Sequence, residues 1–249
     1  MSLPRPRDVH AIVFDYGNTL IEFGQRQIDH CGAALRSAFQ DRFGDFDIDR
    51  FDALRAQGRL APYRNGYREN DLRTVTRDLA NELFGSRLLD AQIDDLVAIR
   101  RAAFVGCIEA EPSTHRVLEL LGSRYRLGLL SNYPCGRSIR ASLEATGLER
   151  HFAAVVVSGD VGFVKPHPLT FETILERLRV PAEHTAFVGD NWLADVQGSK
   201  RAGMTCVHMR RWTPPEPFEP QPGDFEPDYV VRKLAELLEL FDPDPPPGS

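Results

Sequence analysis

Five short apolar runs, Ala11–Phe14, Leu127–Leu130, Ala154–Val157, Thr185–Val188 and Met204–His208, each end in small or polar residues. Runs this short with no polar alternation suit strands buried on both faces. Helical stretches separate the later runs, such as Ser138 to Ala145, ending near Gly147, and Leu169 to Leu178, opened by Pro168. Strand and helix alternate, which predicts an α/β fold around a doubly wound, Rossmann-like parallel sheet.

The first two runs are more than a hundred residues apart, far more than one crossover helix needs. The intervening periodicity is helical: Ile28, Cys31, Leu35, Phe39 and Phe43 form one stripe, Leu72, Val75, Leu79 and Leu83 a second, and Ile93, Leu96 and Val97 a third. A shorter helix is expected near Phe51 to Leu54. This predicts core at residues 1–22 and 107–241, an inserted α-helical cap at 23–106, and a disordered tail at 242–249. Within the second core segment, Thr213 to Pro227 reads as a surface loop before a short strand at Tyr229 to Val231.

With a formal net charge of −6, the chain lacks the global positive field of a nucleic-acid binder. No apolar run approaches the length of a membrane span, and the polar, proline-broken start, Met1 to Asp8, does not read as a secretory signal. Cys31, Cys107, Cys135 and Cys206 form no C-x-x-C pair and read as reduced thiols, and neither cysteines nor histidines have zinc-site spacing. A cytoplasmic location is expected.

Four polar groups follow the runs in order. The first leads straight into Asp15-Tyr16-Gly17-Asn18-Thr19, the second into Ser131-Asn132, and the fourth ends Val188-Gly189-Asp190-Asn191, with Asp195 five residues beyond Asp190. Between them stands Lys165, one of only three lysines. Each has an ordinary reading: an Asx turn at Asp15, turn chemistry at Ser131, a solvated lysine, and helix caps at Asp190 and Asp195. Their joint placement after strands favours a ligand site, because open α/β sheets bind ligands at that edge. Asp15, Asp190 and Asp195 together make the hard oxygen set that magnesium takes.

In these four motifs the chain resembles the haloacid dehalogenase superfamily, with Asp15 and Thr19, Ser131, Lys165, and Asp190 with Asp195 in the matching positions. The likeness spans Val9 to about Leu240. It implies a magnesium-dependent phosphatase acting on a small phosphorylated metabolite. Asp15 would be the nucleophile, forming an aspartyl-phosphate. Asp15, the Gly17 backbone carbonyl, Asp190 and Asp195 would hold Mg2+, and Asn191 would orient that shell. Thr19, Ser131, Asn132 and Lys165 would bind the phosphoryl group, with Lys165 also offsetting the carboxylates.

The chain departs from the family pattern at Gly17, where most of its phosphatases carry an acid-base aspartate. Proton transfer to the leaving group loses its usual donor, which biases the enzyme to good leaving groups. Arg55, Arg59, Arg64 and Arg68, interleaved with Tyr63 and Tyr67, read as a loop broken by Gly58, Pro62 and Gly66; from it, Arg59 and Arg64 are assigned to the substrate. Two other readings stand beside the phosphatase. One is a non-catalytic binding protein that keeps the fold. The other is a metal-independent 2-haloacid dehalogenase, disfavoured because those enzymes carry tyrosine at the position of Gly17 and typically lack the Gly189-Asp190 pair.

Overall fold

The structure is a computed structural model describing residues 8–85, 88–212 and 218–241. The tail at 242–249, most of Met1 to Asp8 and the start of the Thr213–Pro227 loop lie outside the described residues. Six strands form one parallel sheet: β1 (Ala11–Phe14), β2 (Arg126–Ser131), β3 (Ala154–Val157), β4 (Thr185–Gly189), β5 (Thr205–Met209) and β6 (Tyr229–Val231), in the order β3-β2-β1-β4-β5-β6. β1 shows why an unbroken apolar run makes such a strand. Ile12 and Phe14 face one apolar cluster, and Ala11 and Val13 face another on the opposite side.

Helices cover both faces. α5 (Pro112–Gly122), α6 (Gly136–Thr146) and α10 (Glu236–Phe241) contribute to the first cluster, and α8 (Pro168–Leu178) supplies Phe171, Ile174 and Leu178 to the second. The order reverses at β1: the chain runs outward through β2 and β3, then crosses to β4, β5 and β6. This makes β1 the switch point, and the carboxyl ends of β1, β2 and β4 converge on one crevice.

Four helices stand between β1 and β2: α1 (Gln25–Phe43), α2 (Ile48–Arg64), α3 (Leu72–Phe84) and α4 (Asp90–Gly106). Asp47 and Asp71 cap α2 and α3 by accepting from the first-turn amides. α1 and α4 run antiparallel: Arg42, near the end of α1, bonds Asp95 in the first turns of α4, and Cys31, near the start of α1, lies beside Cys107 just past α4. The helices have an apolar cluster of their own. Phe39 is fully buried there, with the rings of Phe43, Phe46, Phe51 and Phe84 at centroid distances of 5.9, 6.1, 5.9 and 5.5 Å. Phe39→Ala would cost about 3–5 kcal/mol.

The arginine segment differs from expectation. Residues Ile48–Arg64 form one long helix rather than a short helix and a loop. Pro62 lies in its last turn, where few backbone bonds remain to be broken, and its carbonyl closes the end by accepting from Asn65 and Tyr67. No helix of the described residues is long and apolar enough to cross a membrane.

Candidate active site

The ends of β1 and β4 bring Asp15 and Asp190 together, and the turn after β4 adds Asp195. One carboxylate oxygen from each lies within 4.8 Å of the others, and all three residues are buried. Asp15 is fixed by β pairing, its amide donating to the Val188 carbonyl at 2.8 Å. The turn after β4 is a short π-helical segment, Trp192–Gln197, capped by Asn191, whose side-chain oxygen accepts from the Ala194 amide. This geometry folds the Asp195 carboxylate back to accept from the Asn191 amide at 2.9 Å and to lie directly over Gly189, where any Cβ would overlap it. Glycine at 189 is therefore a consequence of where Asp195 sits.

Lys165 enters from the loop before α8. Its buried Nζ donates to Asp15 Oδ1 at 2.5 Å and forms an ion pair with Asp195 Oδ1 at 2.7 Å. Asn132 locks that loop through two bonds: its Oδ1 accepts from the Lys165 amide at 2.7 Å and its Nδ2 donates to the Lys165 carbonyl at 3.0 Å. Ser131, at the end of β2, lines the same cavity.

Three carboxylates face one ammonium, and the electrostatics show the imbalance. Burial, reinforced by the Asp195 charge and only partly offset by Lys165, pushes the Asp15 carboxyl up to about 6. Burial and the charges of Asp15 and Asp195 hold Asp190 well above the usual carboxylate range. Burial works against the Lys165 charge, but Asp15 and Asp195 outweigh it and hold the ammonium above the ordinary lysine value.

The crevice opens into a cavity of about 560 Å³ that extends among α1, α2, α3 and α4. Arg59 lines it, but Arg64 does not: it is exposed at the end of α2. The helix explains both, because Arg55, Arg59 and Tyr63 recur four residues apart on one face while Arg64 is turned off it. Thr19 is fully buried beneath the site and does not line the cavity, and its hydroxyl has no hydrogen-bond partner among the described residues. Gly17 and Asn18 do line it, with Asn18 in the left-handed region at φ 56° and its side-chain oxygen accepting from the Phe23 amide.

Tyr63 and Arg100 are lining residues that the motifs did not single out. The Tyr63 hydroxyl accepts from Asn132 Nδ2 at 3.2 Å, and burial pushes its phenol up to about 12. The four-residue recurrence of Arg55, Arg59 and Tyr63 is the signal that would have found it, and it was hidden because Gly58 and Pro62 read as breaks.

A model of the haloacid dehalogenase-like hydrolases matches residues 9–203. The chain belongs to this family. As a member of the haloacid dehalogenase-like hydrolases it is an enzyme, and the matched span holds all four motifs. It is 36% identical over 94 residues to the glyceraldehyde 3-phosphate phosphatase of Methanopyrus kandleri, a match covering 38% of this chain and 40% of the relative. The chain thus spans about two fifths of that relative's length. Among solved structures, the magnesium-bound hydrolase YfnB of Bacillus subtilis superposes with a TM-score of 0.67 at 22% identity, over 94% of this chain and 99% of that one. The 2-haloacid dehalogenase of Pseudomonas syringae superposes with a TM-score of 0.74 at 20% identity, over 93% and 97%. At such identities the superpositions establish the shared fold.

Proposed function

We propose that this hydrolase is a magnesium-dependent phosphatase that transfers the phosphoryl group of a small phosphorylated metabolite to Asp15 and then to water, with the helices of residues 23–106 acting as a cap over the site. The carrying observation is the cluster of Asp15, Asp190 and Asp195 around Lys165. Its carboxylates exceed its one ammonium, their oxygens converge within 4.8 Å, and burial penalises the charges of Asp15 and Asp190, so a hard divalent cation fits the donor set. Asp15, Asp190, the Gly17 carbonyl and Asp195, directly or through water, would hold Mg2+, which supplies charge neutralisation between anionic nucleophile and anionic phosphate. The same cluster favours the phosphatase over a metal-independent dehalogenase. The names of its relatives point the same way.

An Asp15 oxygen forms the new bond to phosphorus as the ester P–O bond breaks, and water then displaces the phosphoryl group from Asp15 to give inorganic phosphate. Lys165 and Ser131 hold phosphoryl oxygens, and Asn132 keeps Lys165 in place. Gly17 offers no proton for the leaving oxygen. Tyr63 is the cap's substitute: it accepts from Asn132, so its own proton stays available to the cavity. The test is turnover of a panel of phosphate esters with MgCl2 and with EDTA, using wild type and Asp15→Asn. Activity with Mg2+ that vanishes in the folded variant is expected. Undiminished activity of Asp15→Asn, or halide release from 2-chloropropanoate without Mg2+, overturns the reading.

A further inference from the structure

Three guanidinium groups that chemistry at Asp15 does not use line the cavity, those of Arg55, Arg59 and Arg100. Arg55 comes from α2 and Arg100 from α4, and both line it. Arg55 lies so close to Gly32 of α1 that a Cβ there would displace its guanidinium, and it donates to the Ile28 carbonyl at 3.0 Å. Its partner Asp52, 3.2 Å away, is exposed, so water screens that pair. Arg100 is more telling. Its Nη1 donates to Thr76 Oγ1 at 2.8 Å, and among the described residues no carboxylate lies within 4.0 Å of it. A guanidinium has five N–H donors, so Arg100 has donors to spare for a ligand.

The acids around the cavity do not cancel this charge. Glu69 is already engaged by the Ser158 hydroxyl and the Asn70 amide. Asp78 and Glu82 are exposed, and Glu82 lies 3.7 Å from Arg50. The cavity wall also carries apolar side chains, Phe23, Ile28 and Leu79 among them. Burial and the nearby Arg55 charge lower the affinity of Arg100 for its proton, as expected of a cation that lacks its anion.

We propose that Arg100, with Arg55, forms an anion-binding subsite that takes a second negative group, a carboxylate or a second phosphate, on the part of the substrate remote from the reacting ester. The substrate class is then a phosphate ester on an apolar body with a second anion; this assignment to a substrate rests on the phosphatase reading above, whereas the anion site does not.

The test compares 3-(4-phosphonooxyphenyl)propanoate with its primary amide, a pair with closely similar leaving groups that differ in the remote charge. In wild type the acid should have a kcat/KM about tenfold or more above the amide, the scale of one charge-assisted hydrogen bond. That ratio should fall toward one in Arg100→Gln and recover in part in Arg100→Lys. Because both substrates are read on the same preparation, partial misfolding does not move the ratio. A parallel arm with 4-(2-phosphonooxyethyl)phenyl phosphate distinguishes a phosphate-preferring from a carboxylate-preferring subsite. Calorimetric binding of 3-(4-hydroxyphenyl)propanoate against its amide needs no turnover, so it decides the subsite even if the phosphatase reading fails. A ratio near one in wild type, equal losses on acid and amide in Arg100→Gln, or equal binding of acid and amide would each overturn the proposal.

Discussion

Lys165 Nζ and Asp15 Oδ1 meet at 2.5 Å across a sequence separation of 150 residues, with the lysine buried and its ammonium also 2.7 Å from Asp195. One cation thus orients the carboxylate proposed as the nucleophile and offsets its neighbour. Lys165→Met removes that charge from a preorganised site, so kcat on an aryl phosphate should fall about 10²–10³-fold. Leaving the carboxylates unpaired should also cost about 3–5 kcal/mol of stability. Steady-state kinetics and thermal melting on one preparation check both. Activity within threefold of wild type would make Lys165 a structural residue only.

The carboxylate cluster also sets a pH dependence. In the folded protein without metal, Asp15 ionises at about 6 rather than at its ordinary 3.8, and Asp190 is shifted the same way. A folded-state value raised above the unfolded one means that stability present below about pH 4 is lost as pH rises through about 6. On the proposed function Mg2+ would bind the deprotonated carboxylates and should reverse that loss. At about a hundred times its dissociation constant it should add about 2.7 kcal/mol, or roughly 5–10 °C in Tm, near pH 7.5 and distinctly less at pH 5. Differential scanning fluorimetry with MgCl2 and with EDTA measures it. A shift independent of pH would remove these carboxylates from the metal site.

Gly17 makes leaving-group chemistry a diagnostic. General acid-base catalysis supplies about 10²–10⁴-fold, and esters with good leaving groups need least of it. Wild type should therefore favour aryl over alkyl phosphates. A Cβ built at Gly17 meets Phe23 Cβ at 3.4 Å, an ordinary contact, so a side chain can be introduced. Gly17→Asp should raise kcat/KM on alkyl phosphates more than on aryl ones; an unchanged alkyl-to-aryl ratio counts against the missing donor.

Tyr63→Phe should have the opposite selectivity. Deleting the hydroxyl that accepts from Asn132 at 3.2 Å should depress alkyl phosphate turnover about tenfold or more, with a smaller effect on aryl phosphates. Uniform loss on both classes would assign Tyr63 to holding Asn132 and the Lys165 loop.

Strands were legible where burial on both faces suppresses alternation. Ala11–Phe14, Ala154–Val157 and Tyr229–Val231 fall at the bounds read from the residues, and β2, β4 and β5 differ only at their ends. The motif residues Asp15, Ser131, Lys165, Asp190 and Asp195 were legible because strand ends at a switch point must converge. α2 was not, because Gly58 and Pro62 carry strong local signals that the burial of Phe51 among aromatic rings overrides. The same error placed Arg64 at the substrate and hid Tyr63. Arg100 carried no local signal: that no carboxylate among the described residues lies within 4.0 Å of its guanidinium is a fact of tertiary structure alone.

The antiparallel pairing of α1 with α4 bears on how such a chain diversifies. With Cys31 and Cys107 at 3.9 Å, the polypeptide leaves the sheet and returns through one narrow doorway. Loop-closure entropy grows only slowly with length, by about 0.6 kcal/mol per doubling, so such an excursion burdens the sheet far less than its length alone suggests. A separate aromatic cluster around Phe39 lets the excursion support itself. On the proposed function, selection could therefore rewrite which molecules are admitted, by drift or wholesale replacement of the inserted helices, while the strand ends that would carry the reaction are inherited unaltered.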